Sequence, residues 1–119
     1  MTRVFVEQYT SKEIVNVDVS GCNPEDCIQV LNEATRLIKE KPRNSVLILA
    51  NVQDTHYTKE TVLAVKNFAM SNTPYVKGSA VLGIDGAKQA ILATVRFLTL
   101  HEIKSFDTRE EAKDWLVSL

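Results

Sequence analysis

The stretch from Gly78 to Phe97 constrains this chain more than any other. Its first half contains Ala80-Val81-Leu82-Gly83-Ile84, a run of small and branched apolar residues. Such a run suits a strand covered on both faces. Asp85 interrupts it, and the helical stretch that follows is apolar at nearly every position. A buried strand, a polar cap and a greasy helix in that order call for an α/β layer architecture. The other elements must cover this centre.

Those elements can be read along the chain. Val4 to Tyr9 and Ile14 to Val19 are rich in β-branched residues, with the polar Thr10-Ser11-Lys12-Glu13 between them. This predicts an antiparallel hairpin. Val15, Val17 and Val19 share one face of its second strand, and Asn16 and Asp18 share the other. One face is expected in the core and the other partly wet. Asn23 is placed to cap a first helix, Pro24 fits its first position, and Glu25 and Asp26 face the positive dipole end. Cys27, Val30, Leu31, Ala34, Leu37 and Ile38 recur at helical spacing until Pro42 stops the helix.

Val46 to Ala50 reads as a central strand. Thr58 starts a second helix with the stripe Val62, Val65, Phe68 and Ala69, and Ser71-Asn72-Thr73-Pro74 ends it. After the third helix, Glu102 to Phe106 is a short edge-like strand. Thr108 to Glu111 then forms a capping box for a last helix, which turns Ala112, Trp115, Leu116 and Leu119 inward. The order β-β-α-β-α-β-α-β-α predicts an α/β fold in a single domain over residues 1–119. Its sheet is mixed, mostly parallel and five-stranded, with four helices.

At 119 residues, 45% of them apolar, the chain can bury a core without help from metal or disulfide. A net charge of −1 gives no basic footprint, so no nucleic-acid partner is expected. The longest apolar runs are about five residues, against the ~20 needed to cross a bilayer, so no membrane span is expected. Met1 to Glu7 enters a strand pattern directly, without the charged and apolar regions of an export signal. A cytoplasmic location follows as the expectation, with Cys22 and Cys27 as reduced thiols.

A family resemblance rests on two segments. One is Pro74-Tyr75-Val76-Lys77 leading into Ala80-Val81-Leu82-Gly83-Ile84-Asp85-Gly86. The other runs from Ile103-Lys104-Ser105-Phe106-Asp107 through Thr108-Arg109-Glu110-Glu111 to Ala112-Lys113-Asp114-Trp115-Leu116. Together with the element order, these resemble the SpoIIAA-like (STAS/Sec14-like) small bacterial proteins, which have the STAS-domain fold of anti-sigma-factor antagonists. The resemblance spans most of the chain in element order and is specific over residues 74–116. Its marked residues are fold markers: glycines, a helix cap and a buried Trp.

The resemblance implies a STAS-like regulatory or protein-interaction module. Many STAS proteins are switched by phosphorylation of a Ser at the start of the helix after the third strand, within an Asp-Ser motif. The corresponding region here reads Asp54-Thr55-His56-Tyr57-Thr58-Lys59-Glu60-Thr61. It holds no Asp-Ser pair, and Thr58 is the nearest hydroxyl. Similarity to Sec14-type lipid-binding domains implies an alternative, a small apolar or lipid-like ligand.

Several residue sets invite a functional reading. Gly83-Ile84-Asp85-Gly86 superficially suggests a phosphate loop, yet it lacks three spaced glycines and a following Lys-Ser/Thr. Close packing at Gly83 and capping by Asp85 account for it. The loop before the second helix should lie beyond the carboxyl ends of parallel strands, where ligands bind. Asp54, His56, Tyr57, Thr58 and Lys59 offer it an acceptor, an imidazole, a ring, a hydroxyl and a cation. They equally fit a solvated connection with a capping Thr.

Cys22, Cys27, His56 and His101 lack the paired spacing of a zinc site, so no metal or cofactor is expected. No Gly-x-Ser-x-Gly, His-Glu-x-x-His or Cys-x-x-Cys occurs, and enzyme activity is not expected. In the third helix only Lys88, Gln89 and Arg96 are clearly polar. Leu92 lies between Lys88 and Arg96 on one face, where partial exposure is expected. A helix apolar nearly all round is buried or partnered. Lys88, Leu92 and Arg96 therefore mark a candidate interaction helix, for a protein partner or a homodimer. Ala87, Ala90 and Ala93 are small enough to leave room for an apolar ligand.

Overall fold

The computed structural model describes residues 3–55, 57–99 and 101–119. Strand order in the sheet follows chain order. The elements are β1 (Val4–Tyr9), β2 (Lys12–Asp18), α1 (Pro24–Ile38), β3 (Val46–Asn51), α2 (Lys59–Asn72), β4 (Val76–Leu82), α3 (Gly86–Leu98), β5 (Glu102–Phe106) and α4 (Arg109–Val117). They build one sheet ordered β1-β2-β3-β4-β5. β1 and β2 pair antiparallel, and the other three pairings are parallel. This is the mixed, mostly parallel sheet with four helices that the sequence predicts.

Local signals set the element ends. Asn23 caps α1 by accepting from the Asp26 N–H at 2.8 Å, with Pro24 following it. Thr108 accepts from the Glu111 N–H at 3.2 Å, while its hydroxyl donates to the Glu111 carboxylate. The expected box is therefore closed through the threonine hydroxyl. The hairpin turn is tighter than expected. Tyr9 pairs with Lys12, which leaves Thr10-Ser11 as the loop, with Thr10 at φ 57°.

Each parallel crossover steps to the next strand in the same direction. Right-handed connections of that kind carry α1, α2 and α3 to one face. Val15, Val17, Ile48, Val76 and Val81 point there and meet Cys27, Leu31, Ala34 and Leu92. The opposite face carries Ile14, Leu47, Leu49 and Ala80 against Ala112 and Leu116 of α4. Trp115 lies tilted on Phe106, with ring centroids 5.5 Å apart. Along β3 the alternation of Val46 and Ile48 with Leu47 and Leu49 thus serves two cores.

The Asn16 face was expected to be partly wet, and here the structure corrects the sequence. Asn16 is only 2% exposed, because α4 packs across this side. Its amide donates to Glu7 at 3.1 Å and accepts from Arg109 at 2.8 Å. Lys113 of α4 also pairs with Glu7. The Lys113 bond, followed by the Asn16 bond, holds the Glu7 carboxyl below its ordinary 4.5, against an opposing effect of burial.

A folded-state value below the unfolded one means the unfolded chain binds the proton more readily. The contribution is complete above the ordinary carboxylate value and is lost as pH falls through the lowered one. Urea midpoints between pH 6 and pH 3 should therefore fall less steeply in Glu7→Gln than in the wild type. Equal slopes would contradict this role.

Candidate functional site

The layer between the sheet and α1–α3 is incompletely filled. It contains a cavity of about 110 Å³. Val17, Ile48, Leu31, Phe68, Leu92 and Val95 supply much of its apolar wall. The sequence explains the gap. Where bulkier groups could have closed this layer, β3 and β4 present Ala50 and Ser79, and α2 presents Ala69.

Most of the polar groups enter the wall from element ends. Lys88, in the first turn of α3, is 6% exposed. Its ammonium donates to the Val52 carbonyl at 2.8 Å and lies 3.7 Å from the Asp85 carboxylate. Asn72, the last residue of α2, donates from its amide nitrogen to the Thr35 hydroxyl at 3.1 Å and to the Phe68 carbonyl at 2.8 Å. Its oxygen has no partner among the described residues. His101, just before β5, hydrogen-bonds the Thr73 hydroxyl through Nδ1 at 2.9 Å and the Ser79 hydroxyl through Nε2 at 3.2 Å.

Burial dominates the titration of this wall. It pushes the Tyr57 phenol up to about 12 and the Cys27 thiol up to about 11. It also pulls the His101 imidazole below its ordinary 6.5. All three shifts favour the neutral form, as expected where water is scarce.

The loop residues expected to act together are separated. Tyr57 lines the cavity. Thr58 caps α2, accepting from the Thr61 N–H at 3.2 Å, while Thr61 Oγ1 accepts from the Thr58 N–H at 2.6 Å. Asp54 is exposed at a turn with φ 56°, and Lys59 is exposed at the start of α2. His56 lies outside the described residues.

The expected face of α3 also turns. Leu92 is 5% exposed and points inward with Lys88, which reverses the partial exposure expected for it. Lys88 looked like a solvent-side residue. Its stem instead crosses apolar surface to reach the Val52 carbonyl. Arg96 is exposed and donates to the Ile103 carbonyl at 2.9 Å. The outer face carries Ala90, Ala93, Thr94 and Phe97, so two of the three small residues expected to make room for a ligand face away from the cavity. The side chain of Ala87 lies outside the described set.

In the Gly-Ile-Asp-Gly turn, Gly83 has φ 88°, and a Cβ there would lie 2.6 Å from the backbone nitrogen of Gln53. Only glycine fits this crossing. Asp85 caps α3, accepting from the Lys88 N–H at 3.2 Å. Cys22 and Cys27 are buried, and no group of three or more His, Cys, Asp or Glu is arranged for a metal among the described residues. No helix among them is long and apolar enough to cross a membrane.

Sequence reading missed Asn72 and gave His101 only a metal role. Asn72 follows Phe68 by four and Ala69 by three, which places it on the apolar stripe of α2. That spacing was the available signal. His101 should titrate below the ordinary imidazole range in the folded protein, as read from its ring C–H resonances. Because its folded value is depressed, its contribution to stability is complete above the unfolded 6.5 and is lost as pH falls through the folded value. A folded midpoint at or above 6.5 would refute this.

No family model matches the chain, and no curated protein matches it. Solved structures do match. One is the crystal structure of an uncharacterized protein from the DUF3478 family with a SpoIIAA-like fold, from Shewanella loihica PV-4. It superposes with a TM-score of 0.76 at 15% identity, covering 95% of this chain and 91% of the other. At that identity the likeness concerns architecture. The chain has a SpoIIAA-like fold.

Proposed function

We propose that this protein is a small regulatory module that binds a mainly apolar molecule in the cavity between the sheet and α1–α3, without catalysing a reaction. The observation that supports this is the composition of the wall, apolar with a few buried polar side chains. Ligand sites have that mixture. A general acid or base works best with its titration near the operating pH, whereas burial moves Tyr57 and His101 away from it. An occupant supplies the contacts that lining atoms lack across a void.

Toluene is a suitable probe. At ten times its dissociation constant, a ligand of the folded state adds about 1.4 kcal/mol, worth several degrees in Tm for a small domain. Ala69→Leu should fill the space, keep or raise the unliganded Tm, and abolish the toluene shift. A wild-type Tm indifferent both to toluene and to its hydroxyl analogue phenol would remove this reading.

A second reading, association with a protein partner or a second copy, is favoured by Phe97. This ring is 89% exposed on α3, and Leu98 beside it is also exposed. Sedimentation across micromolar concentrations checks the homodimer form. Wild type should pass from monomer to dimer while Phe97→Ser stays monomeric. A wild-type monomer throughout would exclude it.

A further inference from the structure

We infer that the cavity selects a small apolar molecule bearing a hydroxyl, and that Asn72 Oδ1 accepts the hydrogen bond this hydroxyl donates. The inference rests on the ligand-binding reading above and adds the chemistry of the ligand. The orientation of the Asn72 amide is fixed by its partners. The Phe68 carbonyl only accepts, so the amide nitrogen must face it. The Thr35 hydroxyl takes the second N–H. Both donors are committed, and the oxygen is the group left over.

Asn72 is 1% exposed, so bulk solvent does not reach it. A buried acceptor left unmet is costly, and native structures seldom tolerate one without a reason. Among the described residues, Thr99 Oγ1 is the other buried side-chain atom in this position, but Thr99 does not line the cavity. Three other polar side chains of the wall are already engaged. Ser79 and His101 bond each other, and Lys88 is held by Val52 and Asp85. The wall therefore presents an unanswered acceptor in mainly apolar surroundings.

That pattern defines the occupant. A carboxylate has no proton to donate to Asn72. An ammonium would lose its hydration with no free anion among these wall groups to replace it. A neutral hydroxyl meets both conditions. Size narrows the class further. A cavity of about 150 Å³ takes up benzene, so about 110 Å³ sets a small ring or short chain of about six or seven non-hydrogen atoms as the upper limit. That is well short of a long acyl chain. Phenol represents the class.

Phenol and toluene have nearly the same shape and differ by a hydroxyl in place of a methyl. Their dissociation constants would be measured by two-dimensional NMR titration on the wild type and on Asn72→Leu. Comparing the two ratios cancels the different costs of leaving water. The preference for phenol relative to toluene should fall at least about tenfold in Asn72→Leu. An unchanged ratio, with both molecules binding, would overturn the inference and leave the cavity reading intact. It would mean that something else, such as a trapped water, satisfies Asn72. Failure of both molecules to bind the wild type would overturn the cavity reading as well. If Asn72→Leu does not fold, the wild type still decides. The Asn72 carboxamide resonances should move much further with phenol than with toluene, whose ring current is nearly the same, and equal movements would refute the inference.

Discussion

Three crossovers in the same direction place three helices over three adjacent strand gaps, and this geometry governs the molecule. Neighbouring strands lie about 4.8 Å apart, whereas packed helices need about 8–10 Å between axes. From the first crossover to the third, the sheet therefore advances about 10 Å while the helices require nearly twice that. The three helices therefore need more width than the gaps they bridge provide. Short side chains at Ala50, Ser79 and Ala69 leave space beneath it, and α3 carries an exposed ring, Phe97, on its outer side. The void and the exposed ring are compatible with one mismatch of spacing.

The polar groups of the cavity share a logic of position. Tyr57 precedes α2 and Lys88 begins α3, both near the carboxyl ends of the parallel strands. Asn72 ends α2 and His101 precedes β5, both near the amino ends. Between these two poles the wall is aliphatic and aromatic apart from Ser79 of β4 and Cys27 of α1. Backbone groups at element termini lack intrahelical or ladder partners, so polar side chains collect there. Lys88 serving the Val52 carbonyl is one instance.

The sequence revealed what is local. Caps at Asn23, Thr58, Asp85 and Thr108 and the strand through Ala80 depend on neighbours a few residues away, and all are found in the structure, while the first helix ends at Ile38, ahead of the stop expected at Pro42. It concealed what depends on distant packing. Asn16 looked wet because the helix that covers it lies more than 90 residues further on. Lys88 looked like a surface charge because periodicity identifies a stripe without saying which polar residue on it turns inward. Asn72 looked like a terminator because amides end helices often. Among the described residues of the loop from Asp54 to Lys59, Tyr57 alone is placed on the cavity wall, since Thr58 is used as a cap and Asp54 and Lys59 face water.

The bond between Glu7 and Lys113 joins residues 106 positions apart. Contacts of such sequence separation form late, because a long loop must close before they contribute. Ile14, Leu47 and Leu49 rely on α4 for their cover. On a ribosome, this apolar strip would wait until residues 109–117 of α4 had emerged. The nascent protein would meanwhile have one finished core and one bare sheet face. The vulnerable period of its life is thus set by the back of the sheet, on the side away from the cavity.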